Sequence, residues 1–151
     1  MNSFLTSLSD VLLRDLDALE KEIALYPTTD SIWMVKGEIK NSAGNLALHL
    51  CGNLQHYIGA VLGKSGYVRD RPKEFSLRDI SAKDLVLEII KTKEAIRNAI
   101  PKIDASLLER EYPEKVFKEP MTTQYFLIHL SSHLGYHLGQ VNYHRRLVNH
   151  S

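Results

Sequence analysis

The residues best suited to chemistry in this chain are its histidines. Four of the seven, His129, His133, His137 and His144, fall in one stretch, Thr122 to Arg146, TTQYFLIHLSSHLGYHLGQVNYHRR. Read as a helix, they lie within about 80° of one another on the wheel. Histidines four apart stand one turn above each other, so His133 and His137 are able to reach one cation together. Two imidazoles do not complete a site, and His49 is the natural third ligand. It sits in the middle of NSAGNLALHLCGNL, on a narrow polar or small stripe formed with Asn45, Gly52, Asn53, His56 and Gly59. A buried imidazole needs its nitrogens satisfied, and a metal satisfies one. Three neutral imidazoles leave one or more positions open to water or substrate, as in catalytic rather than closed structural sites. No cysteine or carboxylate cluster competes for the metal.

Other residues near these motifs carry two readings each. Gln140, three residues after His137, orients a ligand imidazole or a bound water, or else bonds a neighbouring helix. His129 stays open between ligand, hydrogen-bonding and packing roles. His56 lies two turns from His49, about 10 Å along the helix, and reads as a pocket wall or surface residue. His144 is similarly distant from His137 and reads as surface; His150 falls in the tail. Tyr136 and Tyr143 flank the histidine stripe, as pocket mouth or as interface. Cys51 points about 200° away from His49 and reads as core rather than reactive thiol. Arg69, Arg71 and Lys73 are candidates for an anionic group such as the carboxylate of a thiol cofactor, against the plainer reading of a solvated loop; Arg71 is the cofactor-binding candidate.

Long amphipathic helices must position these groups. Leu5, Leu8, Leu12, Leu16, Leu19 and Ile23 recur at three- and four-residue steps and predict a helix over residues 2–25. Leu46, Ala47, Leu50, Leu54, Ile58 and Val61 predict a second over 42–62. Leu85, Ile89, Ile96 and Ile100 predict a third over 81–102, capped by Ser81. The histidine helix, capped by Thr122 or Thr123, is the fourth. Short helical turns are expected around Trp33 and over 104–110, and a loop or short extended segment over 112–120. Residues 63–81 read as irregular, and their length suits a functional or interface role. The 151 residues make one domain, an all-α four-helix bundle.

Composition narrows the function classes. Hydrophobic residues make up 44% and charged residues 25%, with a formal net charge of +1 and no basic block, so phosphate-driven nucleic-acid binding is not expected. No apolar run approaches the roughly 20 residues of a membrane span. The start MNSFLTSLSD lacks the basic region and long apolar run of a secretion signal. The single cysteine excludes an internal disulfide. These features together predict a cytoplasmic protein.

Around His49, and in HLSSHLGYHLGQ with its HxxxHxGQ pattern at His133, His137, Gly139 and Gln140, the sequence resembles the DinB/YfiT-like superfamily, also seen in bacillithiol and mycothiol S-transferases. The order and separation of the motifs match, and the resemblance spans the chain. The segment RDRPKEF, with Arg71, Glu74 and Phe75, looks like a loop of one uncharacterised subgroup. The resemblance implies a DinB-type four-helix bundle with crossover connections. It also implies a divalent metal, commonly nickel or zinc, on His49, His133 and His137, and a homodimer. It suggests a metal-dependent enzyme transferring a low-molecular-weight thiol to a small-molecule substrate. The alternatives are a metal-dependent hydrolase and a non-catalytic dimer that the metal merely stabilises. The metal-facing stripes lack Asp and Glu, which favours thiol transfer over hydrolysis with a general base. A carboxylate from the loop, such as Glu74, would overturn that argument by folding over the site.

Overall fold

In the computed structural model, residues 1–149 are described; His150 lies outside them. Helix α1 (Ser3–Ala24) starts where the Asn2 side chain accepts from the backbone of Phe4 and Leu5. It buries the predicted stripe Leu5, Leu8, Leu12, Leu16, Leu19 and Ile23. The short α2 (Thr29–Trp33) is held by a reciprocal Thr28–Ser31 cap. Helix α3 (Ala43–Leu54), capped by Ser42, runs on as a π-helical segment, Gln55–Leu62. Helix α5 (Ala82–Ala99) follows Ser81 as its cap and gives way at Pro101 to a 3₁₀ turn, Ile100–Lys102. A second 3₁₀ turn spans Ala105–Leu107. Helix α6 (Thr123–Val148), capped by Thr122, carries the clustered histidines.

The connection 63–81, expected to be irregular, contains one further helix, α4 (Arg71–Ser76). Asp70 caps it through the Lys73 N–H, and Pro72 occupies a first-turn position where no N–H is needed. It packs against α3.

Helix α1 packs against α5 and α6, and α3 packs against the same two. The pairs α1/α3 and α5/α6 therefore occupy opposite corners of a four-helix bundle, and the connections 25–42 and 103–122 cross its diagonals. The second crossover is pinned by an isolated antiparallel bridge between Glu111 and Thr122. One apolar core fills the interior, from Leu12 and Leu16 of α1 through Leu50 and Leu54 to Ile89, Phe126 and Leu130. Among the described residues, no helix is long and apolar enough to cross a membrane.

Candidate metal centre

Helices α3 and α6 face each other across this core, and His49 meets His133 there. Their Nε2 atoms are 3.1 Å apart. His137, one turn further along α6, completes a group whose candidate ligand nitrogens all lie within 4.8 Å of one another. Two nitrogens bound to one zinc-like ion at about 2.0–2.1 Å stand roughly 3.0–3.4 Å apart, so the His49–His133 pair already has that spacing. His49 is buried, and the two α6 histidines are part-exposed.

On His49 and His137 the outward nitrogen fixes the tautomer. His49 Nδ1 lies 3.0 Å from Glu74 Oε1. A carboxylate only accepts, so Nδ1–H donates and Nε2 carries the lone pair. The longer approach of Arg69 Nη2 to the same nitrogen, 3.4 Å, is subordinate to it. His137 Nδ1 pairs with Gln140 Oε1 at 2.6 Å, again leaving Nε2 for a cation. The buried Nδ1 of His133 has no hydrogen-bond partner among the described residues. With His49 Nε2 as the acceptor, His133 Nε2–H donates across the 3.1 Å gap, and a cation bound there would take the place of that proton. Three imidazole nitrogens within 4.8 Å of one another could hold a divalent ion, and imidazole suits transition metals better than the hard cations that prefer oxygen.

Glu74 arrives from α4, held by two features of α3 and by Arg69 from the preceding connection. Asn45 Nδ2 donates to the backbone carbonyls of Glu74 and Leu77, 2.9 and 3.1 Å away. Gly52 leaves open the space that the Glu74 carboxylate fills: a Cβ at that position would collide with Oε2. Arg69 then clamps the carboxylate bidentately, Nε to Oε2 and Nη2 to Oε1, both at 2.8 Å. The polar stripe on α3 thus serves two purposes, presenting one imidazole inward and docking the strap that orients it.

Charge follows geometry. Burial, reinforced by the neighbouring His137 and His49, lowers His133 to about 4. His137 is also lowered, by burial first, with the Gln140 hydrogen bond opposing. Both are thus held in the neutral form that binds metal. Burial alone would raise Glu74, but the hydrogen bonds from Arg69 and His49 outweigh it and keep the carboxyl below its usual range.

The remaining candidates disperse. His129 packs between Phe117 and Phe126 and stacks at 6.2 Å on His133, outside the ligand group. His56 pairs with Glu114 at 3.0 Å. His144, expected at the surface, is buried: Nε2 lies 2.7 Å from the Met34 carbonyl and Nδ1 2.6 Å from the Tyr26 hydroxyl. Cys51 is buried and its thiol is pushed up to about 12 by desolvation, as a core residue should be. Arg71 is exposed and lies over the ring of Phe75, which itself packs on His49. Arg69, a candidate for an external anion, is instead taken up by Glu74, and Glu74, the loop carboxylate that could fold over the site, does reach it, as the partner of His49; Asp70 and Pro72 mark the helix start that carries it there.

The fold and the facing histidines define a DinB-like helical bundle with a three-histidine cluster. It resembles a DinB-like protein from Bacillus cereus ATCC 10987 (TM-score 0.72, 18% identity, covering 97% of this chain and 91% of that one). It also resembles a conserved protein from Enterococcus faecalis (TM-score 0.77, 19% identity, 100% and 99% covered). The chain belongs to the DUF1572 family, described as a protein of unknown function, which it matches over residues 1–151 and which falls within the DinB-like group. Comparison with curated proteins gives no match.

Proposed function

We propose that this protein is a metal-dependent S-transferase: His49, His133 and His137 hold a divalent ion, nickel or zinc, and a low-molecular-weight thiol is joined through its sulfur to an electrophilic small molecule. When bound, such an ion lowers the pKa of a coordinated thiol toward neutrality. The sulfur then forms a bond to carbon, the leaving group departs with the electrons of the broken bond, and the thiol proton passes to solvent.

The engagement of Glu74 carries this reading. Hydrolysis by an activated water calls for a general base free at the reacting atoms. Glu74 does fold over the site, but both of its oxygens are occupied by Arg69 and His49, and its lowered pKa makes it a poor proton acceptor. It orients His49 instead, as carboxylates behind metal-bound histidines do. A thiolate needs no base. Arg71, beside Phe75 at the edge of the cluster, is the cation proposed for a carboxylate of the thiol.

The test is elemental analysis of untagged protein, followed by cobalt substitution. Stoichiometric metal, lost in His49→Ala and His137→Ala, is expected. Adding cysteine or a related thiol to the cobalt form should produce a near-ultraviolet sulfur-to-metal band, and turnover of 1-chloro-2,4-dinitrobenzene should depend on thiol and metal together. Full occupancy in both variants sinks the site, and thiol-independent hydrolysis of activated esters with no such band favours the hydrolase. The same reading includes a cytoplasmic homodimer. A groove of about 450 Å³ between α1 and α6, bordered by Phe4, Val11 and the exposed Ile128, offers an apolar contact surface. Ile128→Asp should then halve the mass measured by light scattering.

A further inference from the structure

A second hollow opens beside the histidine cluster. It lies between residues 38–41 and the outer face of α6, has a volume of about 560 Å³, and reaches His137 and Gln140. That volume is in the range of small-molecule sites. Its walls are mainly apolar: Ile39 and Leu46 on one side, Tyr136, Tyr143 and Leu147 on the other. Both tyrosines are 66% exposed and Leu147 58%, a concentration of apolar surface on a solvent-facing stretch of helix.

The polar groups show what kind of molecule fits. Lys40 and Glu38 are the charged side chains lining the hollow among the described residues, and they cancel. The Arg146 guanidinium lies 5.0 Å from the centre of the Tyr143 ring but does not line the hollow, so among the described residues no cluster of cations lines it for a phosphate or polycarboxylate. His144 also lines the hollow, but Tyr26 and the Met34 carbonyl occupy its two nitrogens, so it is wall rather than ligand. That contact ties the segment leading to residues 38–41 onto α6 and gives the hollow a fixed side. Gln140 holds His137 through Nδ1, so the imidazole stands at the inner end with Nε2 available.

We propose that this cleft holds the uncharged, aromatic or branched apolar body of a small-molecule substrate, whose donor or reacting head reaches the three-histidine cluster past His137. This rests on the metal-dependent reading above and adds to it the substrate class: hydrophobic electrophiles rather than sugar phosphates, nucleotides or other polyanions. Tyr136 and Tyr143 supply rigid aromatic faces for such a body, and Leu147 closes the outer end.

The experiment compares imidazole with 4-phenylimidazole on the zinc-loaded protein by calorimetry, with zinc content measured on the same sample. The phenyl group should tighten binding at least about tenfold, and the Tyr143→Ala/Leu147→Ala variant, altered only at exposed positions, should reduce that advantage to within about threefold. Equal affinity of the two ligands in zinc-retaining protein overturns the cleft while leaving the metal site standing. An advantage that survives unchanged in the variant also overturns it. If the two ligands bind equally and the variant converts a dimer to a monomer, the face belongs to a second copy and the proposal fails. Failure of the parent protein to retain zinc overturns the metal reading itself, and with it the head-group half of this one.

Discussion

Glu74 and His49, 25 residues apart in the chain, are joined by a 3.0 Å hydrogen bond from the imidazole Nδ1 to a carboxylate whose other oxygen faces Arg69. The bond fixes which nitrogen of His49 faces the cluster. Glu74→Gln keeps the shape but removes the charge, and with it the preference for the Nδ1–H tautomer. Zinc affinity, measured by competition with a chromophoric chelator, should fall about 10–100-fold. Because Arg69 and Glu74 side chains are 9% and 6% exposed, Arg69 is also left as a buried unpaired cation, at a cost of about 3 kcal/mol in urea unfolding. Unchanged zinc affinity would remove Glu74 from the site.

Gly52 gives an independent handle on the same contact. Alanine favours a helix interior by about 1 kcal/mol, so the substitution would stabilise an isolated α3. Here the added methyl would occupy the space of the Glu74 carboxylate. Gly52→Ala should therefore push α4 away from α3, destabilise the protein by about 1–3 kcal/mol and weaken zinc binding without touching a ligand. Gly139→Ala, where nothing lies within 4 Å of the new Cβ, is the control and should stabilise slightly. Equal behaviour of the two variants would contradict the packing described.

These contacts also show what the sequence made legible. The apolar stripes of α1 and α5 were readable because they run for many turns, and a 3.6-residue period needs that length to declare itself. His49, His133 and His137 were readable for the same reason: each sits on a long helix whose faces are fixed by its core residues. Helix α4 has six residues, too few for a period, so only its Asp70 cap and Pro72 marked it. Glu74 lies on that short helix, which is why its contact with His49 was not deducible from helix faces. His144 looked like surface because its partners, Tyr26 and Met34, lie more than 100 residues away, in and after the turn that ends α1. The widening of the second helix into a π segment at Gln55 has no pattern in its apolar spacing.

Acid should destabilise the metal-free fold through His133. Burial holds His133 at about 4 when folded, against 6.5 for the free side chain. Between those values the unfolded chain binds a proton that the folded chain refuses, so this residue's contribution to stability is complete above about pH 6.5 and is lost as pH falls toward 4. Glu74, lowered by Arg69 and His49, acts in the same direction below its ordinary value of 4.5. Metal-free protein should therefore lose melting temperature progressively from pH 6.5 to 4, and His133→Phe should flatten that slope. An identical slope in the variant would assign the acid sensitivity elsewhere.

The buried pair Tyr26–His144 should matter to the fold and to the cleft, and not to the metal. His144 Nε2–H donates to the Met34 carbonyl, so Nδ1 accepts, and the Tyr26 hydroxyl donates to it at 2.6 Å. Desolvation raises the Tyr26 pKa, which keeps the phenol protonated and able to donate. Tyr26→Phe leaves Nδ1 of a buried imidazole without a donor and should cost about 1–3 kcal/mol in urea unfolding. His144→Phe removes both bonds and frees the segment from Met34 toward residues 38–41. Amide exchange there should accelerate, while zinc stoichiometry stays that of the parent because His144 lies outside the ligand group. Loss of zinc from Tyr26→Phe with the fold intact would mean that His144 belongs to the metal centre after all.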